Sequence, residues 1–258
     1  MWTEVTVSPS DRLQLTVTGE GSSFPLNSSH FAAKIARQLL GHDRLRIDIT
    51  SEIPVARGLG SSAALSVGVA AACGHPDPLS FVGLLEGHAD NAAACVLGGF
   101  ATGAIIDGRV VANRLPLDPS ITFVVVIPDR HLSTKDARLA LPIDVPLPDA
   151  VFNLSRMGAL IAGFADHRKL VSGAFADRLH QGSRTTLFPE SVAVLAALVE
   201  AGAFGATWSG AGPTLLATCD VARAEAVRAA GEAALSSAGV AGRSLVVAPD
   251  RNGLVVTR

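Results

Sequence analysis

Between an alternating strand and an alanine-rich helix stand two glycines and two serines, Gly58-Leu59-Gly60-Ser61-Ser62, and no other stretch limits the fold so tightly. Leu45, Ile47 and Ile49 alternate with polar residues, which predicts a strand, and residues 61–73 predict a helix. Pro54-Val55-Ala56-Arg57 leads from one to the other. Glycines at 58 and 60 carry no Cβ, so backbone N–H groups can approach and curl around an anion. The helix that follows points its partial positive charge at the same place, and Ser61 and Ser62 add hydroxyls. That chemistry suits phosphate. A bare Gly-x-Gly also describes a plain strand–turn–helix connection, but the longer Pro-x-x-x-Gly-Leu-Gly-Ser-Ser-Ala63-Ala64 string favours a phosphate site. No Gly-Lys pair occurs in the chain, so this is not a Walker loop.

Four more segments cluster polar residues and glycines. They are Glu86-Gly87-His88-Ala89-Asp90-Asn91 followed by Gly98-Gly99-Phe100, then Leu132-Ser133-Thr134-Lys135-Asp136-Ala137-Arg138 with Leu141-Pro142 behind it. Asp177-Arg178-Leu179-His180-Gln181 with Arg184 comes next, and Ser209-Gly210-Ala211-Gly212-Pro213-Thr214 last. With residues 54–64, and in this order over most of the chain, they resemble the small-metabolite kinases that include galactokinase, homoserine kinase, mevalonate kinase and phosphomevalonate kinase. Within that superfamily the likeness is to the homoserine kinase family.

The resemblance implies an α+β fold of two lobes with the active site in the cleft between them, an ATP-binding lobe over 1–119 and a C-terminal α+β lobe over 120–258. It implies ATP-dependent phosphorylation of the side-chain hydroxyl of L-homoserine, in threonine biosynthesis. Pro54, Val55, Ala56, Arg57, Gly58, Leu59, Gly60, Ser61, Ser62, Ala63 and Ala64 would then bind ATP, joined by Gly210 and Gly212. Phosphoryl transfer needs a divalent cation against the phosphates, and Mg²⁺ takes hard oxygen ligands. Ser62 and Glu86 match the family's positions for it. His88, Asp90 and Asn91 cannot all share one helical face, which predicts a turn in the chain there. Asp90, Asn91 and Glu86 are the catalytic candidates: Asp90 and Asn91 to orient the acceptor hydroxyl, with proton removal left open, and Glu86 through the metal. Arginine receives a carboxylate in a bidentate fork. Arg138 and Arg184 fall in the two segments that match the family's substrate arginines, and His88, Asp90, Asn91 and Thr134 complete the expected acceptor pocket.

Bulk properties agree with such an enzyme. At 258 residues, 48% hydrophobic and 17% charged, the chain suits a compact protein with a sizeable core. A net charge of −2 offers no basic field, so nucleic acid is not an expected partner. Cys73, Cys95 and Cys219 lack metal-ligand spacing and read as reduced thiols, and with no signal peptide or bilayer-length apolar run the expected location is the cytoplasm, away from membranes. A homodimer is left open. Along the chain, Leu13/Leu15/Val17 predicts a strand, and Ser28 or Ser29 a cap for a helix to about Leu40. A helix from about Ser80 would carry Phe81, Leu84, Leu85 and Ala92 on one stripe. Two strands around 101–112, a buried strand over Ile121–Ile127, helices near 133–140, 149–166, 168–181 and 190–201, strands 204–209 and 214–219, a helix 221–238 and two terminal strands follow.

The chain departs from the family pattern in four places. The usual opening strand and Pro-Ala-Ser-Ser-Ala-Asn-Leu-Gly-Pro-Gly-Phe-Asp loop is missing, which predicts either a misplaced start, the favoured reading because the remaining motifs are intact, or a protein that lacks part of the acceptor pocket and one sheet strand. His30 stands for the family's Asn, Gly182-Ser183 for Pro-Tyr before Arg184, and Ala94 for a proline. Two other functions stay open: a kinase of the superfamily acting on another small alcohol, such as mevalonate, and a catalytically inactive relative that keeps nucleotide binding.

Overall fold

A computed structural model describes residues 1–132 and 134–257. The chain divides into two units, one of Met1–Val55, Gly60–Leu115 and Asp250–Arg258, the other of Ala56–Leu59 and Pro116–Pro249.

The first unit is built on a three-stranded sheet of order β1-β3-β2. Strands β1 (Thr3–Pro9) and β3 (Leu45–Ser51) run antiparallel, with Val5 opposite Ile49 and Val7 opposite Ile47, while β2 (Gln14–Gly19) lies parallel to β3. Alternation in β3 buries Leu45, Ile47 and Ile49 against α1 (Phe31–Leu40) and α2 (Ser61–Ala72). Gly68 lets α2 lie close on β1, since a Cβ there would stand 2.8 Å from Val5 Cγ2. Helices α3 (Pro78–Glu86) and α4 (Asp90–Leu97) and the hairpin β4 (Phe100–Ile106)–β5 (Arg109–Leu115) complete the unit.

Two local expectations change here. The cap of α1 is His30, not Ser28 or Ser29: its Nδ1 accepts from Ala32 N at 3.2 Å, and Ser29 turns back to Asn27 Oδ1. Burial lowers the His30 pKa, which keeps the ring neutral and able to accept. The stripe Phe81, Leu84, Leu85, Ala92 also fails. Gly87, with φ +76, ends α3, so Ala92 belongs to α4, and Leu84 and Leu85 are 53% and 40% exposed.

The second unit has a four-stranded antiparallel sheet of order β7-β8-β6-β9. Its strands are β6 (Ile121–Pro128), β7 (Gly205–Trp208), β8 (Leu215–Asp220) and β9 (Gly242–Val247). As its unbroken apolar run predicts, β6 is central and almost wholly buried. Helices α8 (Ser191–Glu200) and α9 (Ala224–Ser237) cover the sheet through Val194, Leu198, Val227 and Leu235. Helices α5 (Thr134–Leu139), α6 (Leu147–Ala165) and α7 (Gln181–Arg184) stand between β6 and α8 in the chain.

The helix expected over 168–181 is absent. His167–Lys169 and Ser172–Phe175 form short 3₁₀ turns instead. Asp118 takes the His167 N–H at 2.8 Å, Leu170 folds back against Gly163, and the Phe175 ring fills the space a Cβ at Gly205 would need. Tertiary anchors override helical spacing there. Of the two expected terminal strands only β9 forms; residues 250–257 run as irregular chain, where Asp250 accepts from Asn252 N and Gly253 N. Among the described residues no helix is long and apolar enough to cross a membrane.

Candidate active site

In the first unit the amino end of α2 is bare. Gly60, at φ +72, occupies the cap position with no side-chain hydrogen bond, so first-turn N–H groups of Ser61, Ser62 and Ala63 have no partner within the helix. Ser62 is exposed and donates from Oγ to Glu86 Oε1 at 3.0 Å. Glu86 is the last residue of α3, held beside α2 by the buried Val67, Ala70 and Val82. An oxygen pair of hydroxyl and carboxylate thus stands at the positive end of a helix. Burial, and then the Glu86 charge, push the Cys95 thiol up to about 11, so it stays protonated beside that pair.

The expected turn at residues 87–89 is present: α3 ends at Gly87 and α4 begins at Asp90. His88 Nδ1 lies 2.6 Å from Asp90 Oδ1, so the ring nitrogen donates and the carboxylate accepts. Asn91 also lies near the start of α2, its Oδ1 3.8 Å from where a Cβ on Gly60 would be. Glu86 and Asn91 therefore both meet the bare helix end. Pro54 is buried where β3 hands the chain to the loop, Val55 and Ala64 are half-buried, and Ala63 is buried.

In the second unit, Ala56–Leu59 lie against the Ser209–Thr214 turn. Ala56 (φ +55) and Gly58 (φ +76) adopt the left-handed region, which an alanine enters only at a cost. Ser209 Oγ donates to the Gly58 carbonyl at 2.8 Å, and Thr214 N to the Arg57 carbonyl at 3.3 Å. In a trans peptide the C=O and the next N–H point opposite ways. Those two bonds therefore set the directions of the Gly58 and Leu59 N–H groups. A Cβ on Gly58 would collide with the Ser209 carbonyl.

The glycine turn does less donating than its motif suggested. The Gly212 N–H closes the turn on Ser209 O at 2.8 Å and has none left for a phosphate, while a Cβ on Gly212 would collide with the Trp208 ring. Gly210 turns its carbonyl to Arg184 Nη1 at 2.6 Å. The turn acts on the loop mainly as a brace.

Asp177 and Gln181 build that brace. Asp177 Oδ2 accepts from the N–H groups of Leu179, His180 and Gln181, and Oδ1 from Asn153 Nδ2 at 2.6 Å. Burial works to raise the Asp177 pKa, yet these bonds outweigh it and hold the carboxyl below its usual range. Gln181 Oε1 then accepts from Trp208 N at 3.1 Å. Arg184 Nη1 also meets His180 Nδ1 at 3.1 Å, and its Nε is buried with no partner among the described residues. Burial, opposed by Asp177, lowers the Arg184 pKa. Asp177→Ala should free α7 and the turn together, and the Tm should fall by roughly 4 °C or more; a thermal melt within 1 °C of the parent would show that the capping bonds are dispensable.

Arg138 sits exposed on α5 and, among the described residues, makes no hydrogen bond to Arg184 or to the glycine turn. The side chains of Thr134 and Lys135, and Ser133 altogether, lie outside the described residues. Sequence patterns missed the bracing roles of Ser209 and Gln181, although both stand inside recognised motifs. They missed His131 entirely: it pairs with Arg57, 74 positions earlier, and nothing local signals that.

Similarity to known proteins agrees with this geometry. Family descriptions for the GHMP kinase N-terminal and C-terminal domains match residues 27–99 and 154–237. A homoserine kinase of Moorella thermoacetica is 38% identical over 271 aligned positions, covering 99% of this chain and 91% of that protein. One from Streptomyces avermitilis is 38% identical over 90% of this chain and 82% of its own length. The crystal structure of homoserine kinase from Cytophaga hutchinsonii superposes with a TM-score of 0.81 at 26% identity, covering 97% of this chain and 87% of that one. Mevalonate kinase of L. major, solved with R-mevalonate, shares the fold at a TM-score of 0.64 and 17% identity over 94% of this chain and 86% of that one.

Proposed function

The chain belongs to the homoserine kinases of the GHMP kinase family, and from that premise we propose how its residues divide the work of moving a phosphoryl group from ATP to L-homoserine. The side-chain hydroxyl oxygen of homoserine attacks the γ-phosphorus, the bond from that phosphorus to the β,γ-bridging oxygen breaks, and ADP leaves with the bond's electron pair. The products are O-phospho-L-homoserine, ADP and the hydroxyl's proton. The transition state is loose, so orientation and charge neutralisation supply most of the rate.

The bare N–H groups at the start of α2, with the amides of residues 57–60, grip the triphosphate. Ser62 and Glu86 fit Mg²⁺, being hard oxygen donors already side by side. Bound there, the ion would neutralise charge on the β- and γ-phosphates. Asn91, next to Gly60, and Asp90 orient the acceptor hydroxyl. Arg184 and Arg138 take the amino acid's carboxylate, and the buried Nε of Arg184, without a partner among the described residues, supports this reading for the first of them. The observation that carries the proposal is the uncapped helix end flanked by the Ser62–Glu86 pair and Asn91.

ADP release across L-homoserine, L-serine, L-threonine and R-mevalonate tests it. Saturable turnover with L-homoserine alone is expected; turnover only with R-mevalonate would replace the substrate. Arg184→Ala should raise the homoserine KM by about tenfold or more, with a smaller change in the ATP KM. An unchanged homoserine KM would remove Arg184 from the acceptor pocket.

A further inference from the structure

We infer that His131 is a positioning residue for the kinase reaction, a fixed post that holds Arg57 and with it the phosphate loop in the shape that receives ATP. Arg57 Nη1 lies 2.7 Å from His131 Nδ1. A guanidinium only donates, so Nδ1 is the acceptor in this contact. The same arginine accepts from Thr214 N through its carbonyl. Its main chain is thus tied to the glycine turn and its side chain to His131.

The two ends of this contact differ in how firmly they are held. His131 stands three residues beyond the end of the buried β6, and its neighbours are anchored. Asp129 N donates to Ala241 O at 2.8 Å, Arg130 meets Glu190 and stacks 5.0 Å over the Phe188 ring, and Leu132 packs on the core of the unit. Arg57 sits in a loop whose flanking residues, Ala56 and Gly58, are both left-handed. Such a conformation persists only when its surroundings over-determine it. His131 is one of those surroundings. In the sequence, α5 opens three residues on, with Thr134, and carries Arg138.

This inference rests on reading residues 54–64 as the ATP loop, and its test separates the two. Full-length parent, His131→Ala, His131→Gln, Arg57→Ala and the double variant are compared by calorimetric titration with ATP and by homoserine phosphorylation. His131→Ala should weaken ATP binding and raise the ATP KM about tenfold, with kcat changed less than about threefold. His131→Gln, whose amide oxygen still accepts from Arg57, should recover most of that loss, and in the Arg57→Ala background His131→Ala should add nothing. ATP affinity in His131→Ala within twofold of the parent, no recovery with glutamine, or losses that add in the double variant would each overturn the inference. A parent that binds ATP but phosphorylates no homoserine would defeat the functional reading, while the titrations still decide the role of His131; a parent that binds no ATP would defeat both.

Discussion

Gly58→Ala is expected to leave a folded protein that no longer binds ATP. Gly58 has φ +76, where an L-residue with a Cβ costs about 1–2 kcal/mol. That strain is the smaller part. The added carbon would collide with the Ser209 carbonyl and come 2.7 Å from Gly212 N, both backbone atoms that no rotamer change can move. The loop must leave the glycine turn, the Ser209–Gly58 bond breaks, and the Leu59 N–H no longer has a fixed direction. Because several amide-to-phosphate hydrogen bonds fail together, the ATP dissociation constant should rise by about 100-fold or more. Gly108→Ala is the control. It too is left-handed, at φ +73, but has open space around it in the β4–β5 turn, so it should lower stability by about 1 kcal/mol and spare ATP binding. Calorimetric titration and thermal melts read both variants. ATP binding by Gly58→Ala within threefold of the parent would show that this loop shape is not needed.

Glu86→Gln should abolish most turnover without disturbing the fold. Glutamine keeps the shape, and its carbonyl oxygen can still accept from Ser62, so the α2–α3 contact survives. What goes is the negative charge beside the bare amino end of α2. If that charge holds Mg²⁺ against the phosphates, kcat should drop by about 10²–10³-fold, with partial recovery as Mg²⁺ is raised. The melting temperature should stay within about 2 °C. Near-normal turnover at limiting Mg²⁺ would exclude the role.

Much of the fold was legible because its signals are local. The alternation of Leu45, Ile47 and Ile49 defines a face of β3, and the unbroken run Ile121–Ile127 defines a strand covered on both sides. The loop announced itself through glycines, and the turn after Glu86 through the spacing of His88, Asp90 and Asn91, which no single helical face can hold. What escaped depends on residues distant in the chain. Residues 168–181 have helical spacing, but Asp118, Gly163 and Gly205 draw them into other contacts. His30 became a cap because burial keeps it neutral, a property of its surroundings. Gly212 has the look of a phosphate donor, yet its N–H is spent inside its own turn, and Arg184 has the look of a free receptor although it also holds Gly210. Motifs mark the proposed functional segments; which polar atoms remain to meet a ligand depends on the packing around them.

The central claim is that main-chain N–H groups from Arg57 to Ser62 hold the triphosphate. A crystal structure of the full chain with a non-hydrolysable ATP analogue, Mg²⁺ and L-homoserine tests it most directly. The expected result is β- and γ-phosphate oxygens within hydrogen-bond distance of the amides at the start of α2, and Mg²⁺ on Ser62 and Glu86. Phosphates bound elsewhere, with the amides of Gly60–Ser62 facing only water, would contradict it.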